Sequence, residues 1–581
     1  MCCGSLYTPA MSAALAAVCA FVVYFVAVRF YSRHLAHRVF GLDPDRRTPA
    51  HQCEDGVDFV PTNRYVLFGH HWASITGLAP MLGPAVAVIW GWGPAMLWVV
   101  LGAVLVGCVH DFGALVVSMR ARGLSVGKVA EGVIGPRAKL LFLCIIFFGI
   151  ALAMGVFTIA IAGLFSTKYG SAVLPSSGLM AIAGVIGWLV YKKSVPLGRL
   201  AAIGFASLLV LVWLGYENPI DWASAGGWKA TLLAYAFIAS VLPVWSLLQP
   251  RDFINSLLLY LGIILAFLGF FVMSPDFAAP MLNESPEGAP PIFPFVFITI
   301  ACGAASGFHG LVASGTTSKQ ISRETDARLV GYGGMVGESL LGLLAVLATS
   351  AGIAAGRTGA PSDIWKDHYG HFDTITALQN FITGTARFVE QLGIPHELAE
   401  AFIAVLVVSF ALTTLDSATR LLRYNVGEIG ESLKLPILRD RHAASGIAVV
   451  AIAFFAFYEI EGKAMGMVLW GLFGTTNQLL ASLTLLTVTL YLLQRGKNPW
   501  FTGVPMLFML VTTMVAMVMN LNKFSSNWTF SDPAQLPLFV VGAVLLVLAT
   551  WVVVEAFIAT RRTLASAEIL TRAEVFDQDD A

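Results

Sequence analysis

Ionisable side chains inside long apolar stretches are the first feature of this sequence with a chemical meaning. Seven of these residues are candidates for chemistry: His70, His71, His110, Asp111, His309, Glu338 and Asp416. Histidine exchanges a proton near neutral pH and a carboxylate is a natural partner for it, so these groups could take up and release a coupling proton. At about 1.5 Å of rise per residue, Glu338 falls near the middle of a bilayer and the other six fall in its inner third. The alternative is that they satisfy one another and only anchor helices.

Charged pairs near these residues allow both a gating role and a structural one. Asp416 and Arg420 stand four residues apart, so they share one helical face and could form a salt bridge that gates the cytoplasmic side. A static helix pair of small energetic worth is the alternative. The neighbours Arg251 and Asp252 allow the same two interpretations.

Cation binding is a less favoured interpretation. The hydroxyls of Ser306, Thr316 and Thr317 could bind sodium, although simple helix packing explains this small-residue segment equally well. No metal site is predicted, because His70 and His71 are adjacent and would point about 100° apart on a helix. These segments also have no His-x-x-x-His or Glu-x-x-His spacing.

The composition identifies the elements that must position these groups. Of 581 residues, 57% are hydrophobic and 12% are charged, whereas a soluble domain has roughly 25% charged residues. The 35 basic and 35 acidic residues cancel, which gives no reason to expect a nucleic-acid partner. Seven cysteines without Cys-x-x-Cys spacing exclude a disulfide scaffold and a zinc ribbon. Apolar runs of about 20 residues recur along the chain, so the sequence predicts an all-α, multi-pass membrane protein embedded in a lipid bilayer.

Fifteen transmembrane helices are predicted from runs of apolar residues bounded by charges or turn residues. The predicted spans lie near 10–31, 69–92, 93–118, 140–165, 177–191, 197–215, 230–248, 254–273, 292–312, 329–353, 398–419, 444–460, 465–493, 501–521 and 535–558. The fifth span is short and is the least certain of the fifteen.

The distribution of basic residues predicts the orientation of these spans. Cytoplasmic loops carry the excess of Lys and Arg, and only seven of the 35 basic residues fall on one side if the spans alternate. Those seven are Lys168, Lys229, Arg357, Lys366, Arg387, Lys463 and Lys523. The pattern predicts an N-terminus outside and a C-terminus in the cytoplasm. The first span is expected to stay in the mature protein, because basic residues follow it instead of preceding it.

Two spans are predicted to be broken near mid-membrane. Span 2 is rich in Gly and Pro between residues 68 and 84, and span 7 contains Pro243 and ends in Leu247-Leu248-Gln249-Pro250-Arg251-Asp252. Proline frees backbone polar groups, which membrane proteins tolerate only where protein, water or substrate reaches them. A Pro kink or a packing contact would explain one such break. Two breaks, five spans apart and in opposite orientations, instead predict a 5+5 inverted-repeat core of discontinuous helices, built from spans 2–6 and 7–11.

The predicted domain organisation and substrate site follow from this core. Residues 1–66 are an N-terminal helix and cytoplasmic loop, 67–425 are the transporter-like core, 426–560 are accessory helices and 561–581 are a cytoplasmic tail. The substrate site is predicted around the breaks, where freed backbone groups and half-helix ends could hold a carboxylate. The predicted substrate-binding residues are Ser74, Thr76, Gly77, Pro80, Gly83, Pro243, Trp245, Gln249 and Ser306.

Several motifs together resemble the carbon-starvation protein A family. They are FGHHWASITGLAPMLGP at 68–84, HDF at 110–112, LPVWSLLQPRD at 242–252, SGTTSK at 314–319, ARLVGYGGMVGES at 327–339, TTLDSATR at 413–420 and LFGTTNQ at 472–478. The resemblance implies nutrient uptake across a bacterial inner membrane during carbon limitation, with peptides or pyruvate as substrates. It also implies a proton gradient as the driving force and a core akin to inverted-repeat amino-acid transporters.

The sequence therefore predicts a secondary active transporter, not an enzyme, that imports a small carboxylate-bearing nutrient, either a short peptide or pyruvate. No cofactor is expected beyond the coupling ion, which is the proton or, as the alternative, sodium. Glu338 and the His110/Asp111 layer are the predicted proton carriers. One rival is a membrane-embedded enzyme with a metal on His70, His71, His110 and Asp111, and the other is a starvation sensor that binds ligand without moving it. No Walker motif occurs in the predicted cytoplasmic loops. The sequence does not predict an oligomeric state.

Overall fold

The chain folds into a bundle of helices, most of them long and apolar. The computed structural model describes residues 12–369, 374–460, 462–526 and 535–565. Its main helices are α1 Ala13–Phe40, α2 Arg64–Ile75, α3 Ala79–Trp90, α4 Trp92–Arg120, α5 Pro136–Thr167, α6 Val173–Lys193, α7 Leu197–Glu217, α8 Ala225–Val241, α9 Leu248–Met273, α10 Ile292–Thr299, α11 Ala301–Ala304, α12 Gly307–Gly315, α13 Glu324–Ala354, α14 Thr374–Glu390, α15 His396–Ser432, α16 Arg441–Phe457, α17 Trp470–Gln494, α18 Trp500–Ser526 and α19 Gln535–Ala565. Shorter elements are the helices Pro49–Gln52, Val126–Val133, Pro361–Tyr369, Pro436–Arg439 and Met465–Val468 and the antiparallel strands β1 Glu459–Ile460 and β2 Lys463–Ala464.

More than half of the 19 main helices are long and apolar enough to cross a membrane. In the described residues 11 helices meet that standard by length and composition, or 12 when α2 and α3 count as one bent span. Within the described residues each of the fifteen predicted segments contains a helix. However, α8 and α16 have only 17 residues each, and α10–α12 is interrupted. The chain is thus a multi-pass membrane protein, and the count of fifteen crossings stays a prediction.

Helix α15 is the centre of the bundle. It has 37 residues, most of them buried, and packs against α5, α8, α9, α14 and α16. Helices α1, α6, α7, α18 and α19 lie at the periphery, where large apolar side chains such as Phe25, Ile203 and Val547 are more than 60% exposed. Such surfaces are stable against lipid tails and unfavourable against water, which fits a membrane-embedded bundle.

The predicted break in span 2 is present. Helix α2 ends at Ile75, α3 begins at Ala79, and their axes differ by 51°. A continuous helix would need residue 80 to donate a hydrogen bond to the carbonyl of Thr76, but Pro80 has no N–H. Gly77 allows close packing here, since a Cβ atom at this position would lie 2.8 Å from both Phe157 and Thr414 Oγ1. Local sequence therefore explains this break.

The second break lies in span 9 and not in span 7, where it was predicted. Residues 305 and 306 are extended between α11 and α12. The prediction of a broken span over 230–248 was wrong, because α8 ends at Val241 and Pro243 lies in the connection to α9. Leu242 already has an extended backbone, as expected for a residue that precedes proline.

Candidate functional site

The two breaks border a cavity in the interior of the bundle, here called the central cavity. Its volume is about 30 Å³, and it is lined by Gly77 and Ala79 at the first break and by Cys302 and Phe308 at the second. Other lining residues include Met154, Phe157, Thr414, Phe473, Asn477 and Leu480. None of the described residues that line this cavity is charged. Apolar walls with few polar groups are typical of a small-molecule site. The volume is of the order of one water molecule, so the surrounding helices must separate before a cargo molecule can enter.

Three further cavities adjoin the central one. A cavity of about 510 Å³, called the outer cavity after the predicted orientation of the spans, shares Ala79, Cys302, Phe473 and Asn477 with it. A cavity of about 160 Å³, called the inner cavity on the same basis, shares Ile150 and Leu311 with it. The inner cavity adjoins a cavity of about 440 Å³, called the inner mouth, and these two share Lys128, Lys319, Tyr424 and Glu428. Together the four form a series of neighbouring cavities, here called the cavity route.

Unpaired backbone donors line the first break. The N–H groups of Gly77, Leu78 and Ala79 donate to no group among the described residues, whereas the carbonyl of Thr76 accepts a hydrogen bond from Thr414 Oγ1 at 3.3 Å. These donors lie at the start of α3, where the helix dipole favours a negative charge. An anion such as a carboxylate is the ligand this geometry suits.

A side chain of α17 holds the second break open. Asn477 Oδ1 accepts from Ser306 Oγ and from the backbone N–H of Phe308, each at 3.1 Å. Asn477 Nδ2 lies 3.1 Å from Cys302 Sγ. Asn477 thus replaces part of the backbone bonding that α12 lacks at its start. Asn477 belongs to the LFGTTNQ motif at 472–478, but it was not predicted to bind substrate.

Six of the seven candidate ionisable residues lie in two separate clusters of buried groups. The first, here called the Arg251 cluster, joins α2, α8, α9 and α15. Arg251 Nη2 donates to Asp252 Oδ1 at 2.7 Å, and its Nη1 contacts Asp416 Oδ2. His70 Nδ1 lies 2.8 Å from Asp252 Oδ2, and Tyr235 donates to Asp416 Oδ2 at 2.5 Å. Two carboxylates therefore surround one permanent cation.

The second cluster, here called the His309 cluster, joins α4, α12 and α13. His309 Nδ1 lies 2.9 Å from Asp111 Oδ2, and His309 Nε2 lies 2.9 Å from Glu338 Oε2. His110 Nδ1 is 2.7 Å from Asp111 Oδ1. The Glu338 contact has an ion-pair distance but not hydrogen-bond geometry, so both Glu338 oxygens lack a hydrogen-bond partner among the described residues. All four residues are fully buried.

His71 belongs to neither cluster. Its Nδ1 lies 2.8 Å from Thr317 Oγ1. Its ring packs closely against Gly334, where a Cβ atom would lie 2.8 Å from His71 Cδ2. His70, His71, His110 and Asp111 therefore do not meet at one point. No group of three or more residues able to hold a metal ion occurs within the ranges that the structure describes.

The predicted salt bridge between Asp416 and Arg420 is not formed. Asp416 faces Arg251, whereas Arg420 Nη1 lies 3.4 Å from Asp58 Oδ1 and its Nη2 donates to the carbonyls of Ala239 and Leu242. An i, i+4 spacing brings two side chains to one helical face, but here each finds a stronger partner on another element.

The predicted substrate residues also lie in different places. Gly77 lines the central cavity, Gly83 lines the outer cavity, and Ser306 and Thr76 lie at the two breaks. Pro80 is buried in the first turn of α3, and Ser74 lies 3.5 Å from Asp252 in the Arg251 cluster.

Three of them lie away from the breaks. Pro243 and Trp245 lie in the α8–α9 connection, where Trp245 packs against Tyr191 and Lys192. Gln249 donates to Gln320 at 2.6 Å. Their selection rested on a break that is not there, so the structure gives these three no contact with the cavity route.

Comparison with known proteins agrees with the resemblance of the motifs. The profile of the family described as carbon starvation protein CstA matches residues 12–358 and 366–516. The chain is 33% identical over 576 residues to a peptide transporter CstA of Campylobacter jejuni, which covers 88% of this chain and 80% of the relative. It is also 33% identical to the pyruvate/proton symporter BtsT of Escherichia coli, over 87% of this chain and 81% of that relative.

Solved structures provide a more distant likeness. Structures of a manganese transporter of Eremococcus coleocola superpose with a TM-score of 0.48 at 12% identity, covering 88% of this chain and 99% of theirs. The sequence matches extend over nearly the whole chain, and the relatives are named as transporters and not as enzymes. The chain therefore belongs to the carbon starvation protein CstA family of membrane transporters.

Proposed function

We propose that this protein imports a small monocarboxylate such as pyruvate across the bacterial inner membrane, together with protons, as part of the response to carbon starvation. The observation on which this proposal rests is the uncharged central cavity beside the free N–H groups of residues 77–79. The names of the relatives, peptide transporters and a pyruvate/proton symporter, support a small nutrient as cargo.

The cavity lining favours a monocarboxylate over a peptide. A carboxylate can be held by the backbone donors at the start of α3 and needs no cationic side chain. A dipeptide also has an ammonium group, and no carboxylate lines the central cavity among the described residues. An unpaired ammonium in a low-dielectric site is strongly disfavoured. The monocarboxylate is therefore the better match in charge.

The charge balance of the buried clusters favours protons over sodium as the coupling ion. In the Arg251 cluster the guanidinium already occupies the place between Asp252 and Asp416 that a bound cation would need. In the His309 cluster the carboxylates of Asp111 and Glu338 flank the imidazole of His309. With the neighbouring His110 neutral, an excess negative charge remains even when His309 is protonated. One more proton would neutralise that cluster, and Glu338 is the group with free acceptor oxygens.

The order of helices supports an inverted-repeat core with boundaries that differ from the predicted ones. Two sets share the order broken, long, long, short, long. The hairpin of α6 and α7 is inserted in the first set, and α14 is inserted in the second. The first set is α2–α3, α4, α5, α8 and α9, and the second is α10–α12, α13, α15, α16 and α17. The two short members, α8 and α16, pack against each other. The second repeat would thus extend to residue 494 and not end at 425.

Uptake measurements in proteoliposomes test the proposal. We expect labelled pyruvate to accumulate when a proton gradient is imposed, and not when a sodium gradient is imposed. Accumulation of a labelled dipeptide instead would contradict the monocarboxylate assignment. Binding of ligand without accumulation in sealed vesicles would favour a sensor and would contradict transport itself.

Asn477→Asp provides a sharper test of the cargo charge. The substitution is nearly isosteric and adds a negative charge to the cavity wall, so a carboxylate should be repelled. Like charges in contact cost several kcal/mol, so we expect the KM for pyruvate to rise by roughly 100-fold. Uptake at varied pyruvate concentration measures this effect.

Asn477→Gln is the control without added charge, because its amide oxygen can still accept from Ser306 and Phe308, as a carboxylate at this position can. It should impair uptake less than Asn477→Asp does. If Asn477→Asp instead improves transport of a dipeptide, the cargo has an ammonium group and the monocarboxylate assignment is wrong.

A further inference from the structure

A loop carboxylate lies in the mouth of the inner cavity among basic side chains. Asp58, in the connection between α1 and α2, accepts a hydrogen bond from Tyr424 OH at 2.5 Å and lies 3.4 Å from Arg420 Nη1. The Arg420 side chain is only 1% exposed. A buried guanidinium and a hydroxyl aimed at one carboxylate are the elements of an anion site.

The surroundings of Asp58 are more basic than acidic. Lys319 lies over the rings of Phe59, at 5.3 Å, and of Tyr424, at 4.4 Å, and Arg423 also stacks on Tyr424. Arg439, Arg441 and Lys128 line the same mouth. Its other two carboxylates already have partners, since Glu431 pairs with Lys128 at 2.8 Å and Glu428 accepts from Ser125 at 2.7 Å.

These basic groups keep Asp58 ionised. Burial would raise the pKa of Asp58, but Lys319, the Tyr424 hydroxyl, Arg420 and Arg423 outweigh it and hold that pKa below its usual value. Asp58 is therefore a carboxylate anion at neutral pH, held by cationic groups of other elements.

The cationic groups around Asp58 lie on the cavity route that leads away from the central cavity. A molecule that leaves the central cavity past Ile150 and Leu311 enters the inner cavity, whose lining includes the cationic side chain of Lys319. Lys319 and Tyr424 line both the inner cavity and the inner mouth. The cationic groups around Asp58 are thus the groups that a departing carboxylate would meet.

We propose that the inner mouth is a second binding site for the carboxylate of the cargo, and that Asp58 occupies it as a tethered substitute while the inner side is closed. The identity of the cargo rests on the proposed function, whereas the anion site itself does not. When the loop withdraws, a free carboxylate would take the place of Asp58 beside Arg420, Tyr424 and Lys319. Because one carboxylate replaces the other, the buried guanidinium of Arg420 would keep an anionic partner throughout.

Removal of Asp58 and addition of a free carboxylate test the anion site. Asp58→Ala should lower the thermal unfolding midpoint of the purified full-length protein, and acetate should restore it in part. We expect a rise of about 2 °C or more at saturating acetate, because a ligand that binds only the folded state stabilises it. Acetamide, which has the same shape and no charge, should have no effect. The native protein, whose site is already filled, should respond little to acetate.

Glu54→Ala is the matched control, since Glu54 is an exposed carboxylate in the same loop. An equal response to acetate in Glu54→Ala or in the native protein would overturn the proposal, as would no response in Asp58→Ala. If Asp58→Ala does not fold, Asp58→Asn replaces it, because it leaves the same cations uncompensated. Its thermal unfolding midpoint is then measured with acetate and with acetamide in the same way.

Pyruvate in place of acetate then links the site to the cargo. Rescue of Asp58→Ala by acetate and by pyruvate would support the whole proposal. Rescue by acetate but not by pyruvate would overturn its cargo assignment. Failure of the native protein to accumulate pyruvate would count against the proposed function alone, because the acetate result does not depend on transport.

Discussion

Replacement of Glu338 by glutamine is expected to abolish proton-driven accumulation of the cargo while exchange of labelled for unlabelled cargo continues. Glutamine has nearly the same shape as glutamate but cannot bind and release a proton. Glu338 is fully buried and lies 2.9 Å from His309 Nε2, yet it does not line the central cavity. Glu338→Gln should therefore impair the coupling of transport to protons and leave the binding of cargo unchanged.

The measurement is accumulation of labelled pyruvate in proteoliposomes with an imposed proton gradient, compared with counterflow at equal pH. Coupling between two sites is typically worth 1–3 kcal/mol, so we expect the accumulation ratio to fall by roughly tenfold or more, towards no accumulation. Glu284→Gln is the control, because Glu284 is an exposed carboxylate in a connecting loop. Unchanged accumulation in Glu338→Gln would remove Glu338 from the mechanism.

Local sequence was sufficient for one break and not for the other. The break at residues 76–78 follows from Pro80, which cannot donate to Thr76, and from Gly77, which has no Cβ to collide with Phe157. The break at residues 305–306 has no proline. It depends on Asn477, which is 171 residues away from Ser306 along the chain. A reading of local pattern cannot detect such a contact.

For the ionisable residues, burial was predictable from the local sequence, whereas the contact partners were not. Burial of all seven was predictable from the apolar runs around them, because a charge in such a run must face the protein interior. Their partners were not predictable, since partners depend on how each helix is rotated about its axis. Tyr235 illustrates this, because nothing in its own segment indicates that it donates to Asp416.

The asymmetry between Arg251 and its neighbours leads to the largest expected effect on stability. Arg251 is fully buried between Asp252 and Asp416, so Arg251→Gln would leave two carboxylates around a site without a permanent cation. Removal of one partner from a buried ion pair typically costs about 3–5 kcal/mol. We expect a marked fall in the thermal unfolding midpoint of the purified protein, measured by the fluorescence of its tryptophans.

A second variant shows whether that loss comes from unbalanced charge. Arg251→Gln combined with Asp416→Asn removes one carboxylate together with the cation and leaves His70 and Tyr235 unchanged. Much of the stability lost in Arg251→Gln should therefore return. Arg199→Gln, at an exposed position, should leave the midpoint unchanged. If the double variant is as unstable as the single one, the cluster stabilises the fold through the shape and hydrogen bonds of Arg251. In that case the charge of Arg251 would not explain why α2, α8, α9 and α15 meet at this point. The Arg251 cluster would then no longer disfavour a sodium ion between Asp252 and Asp416.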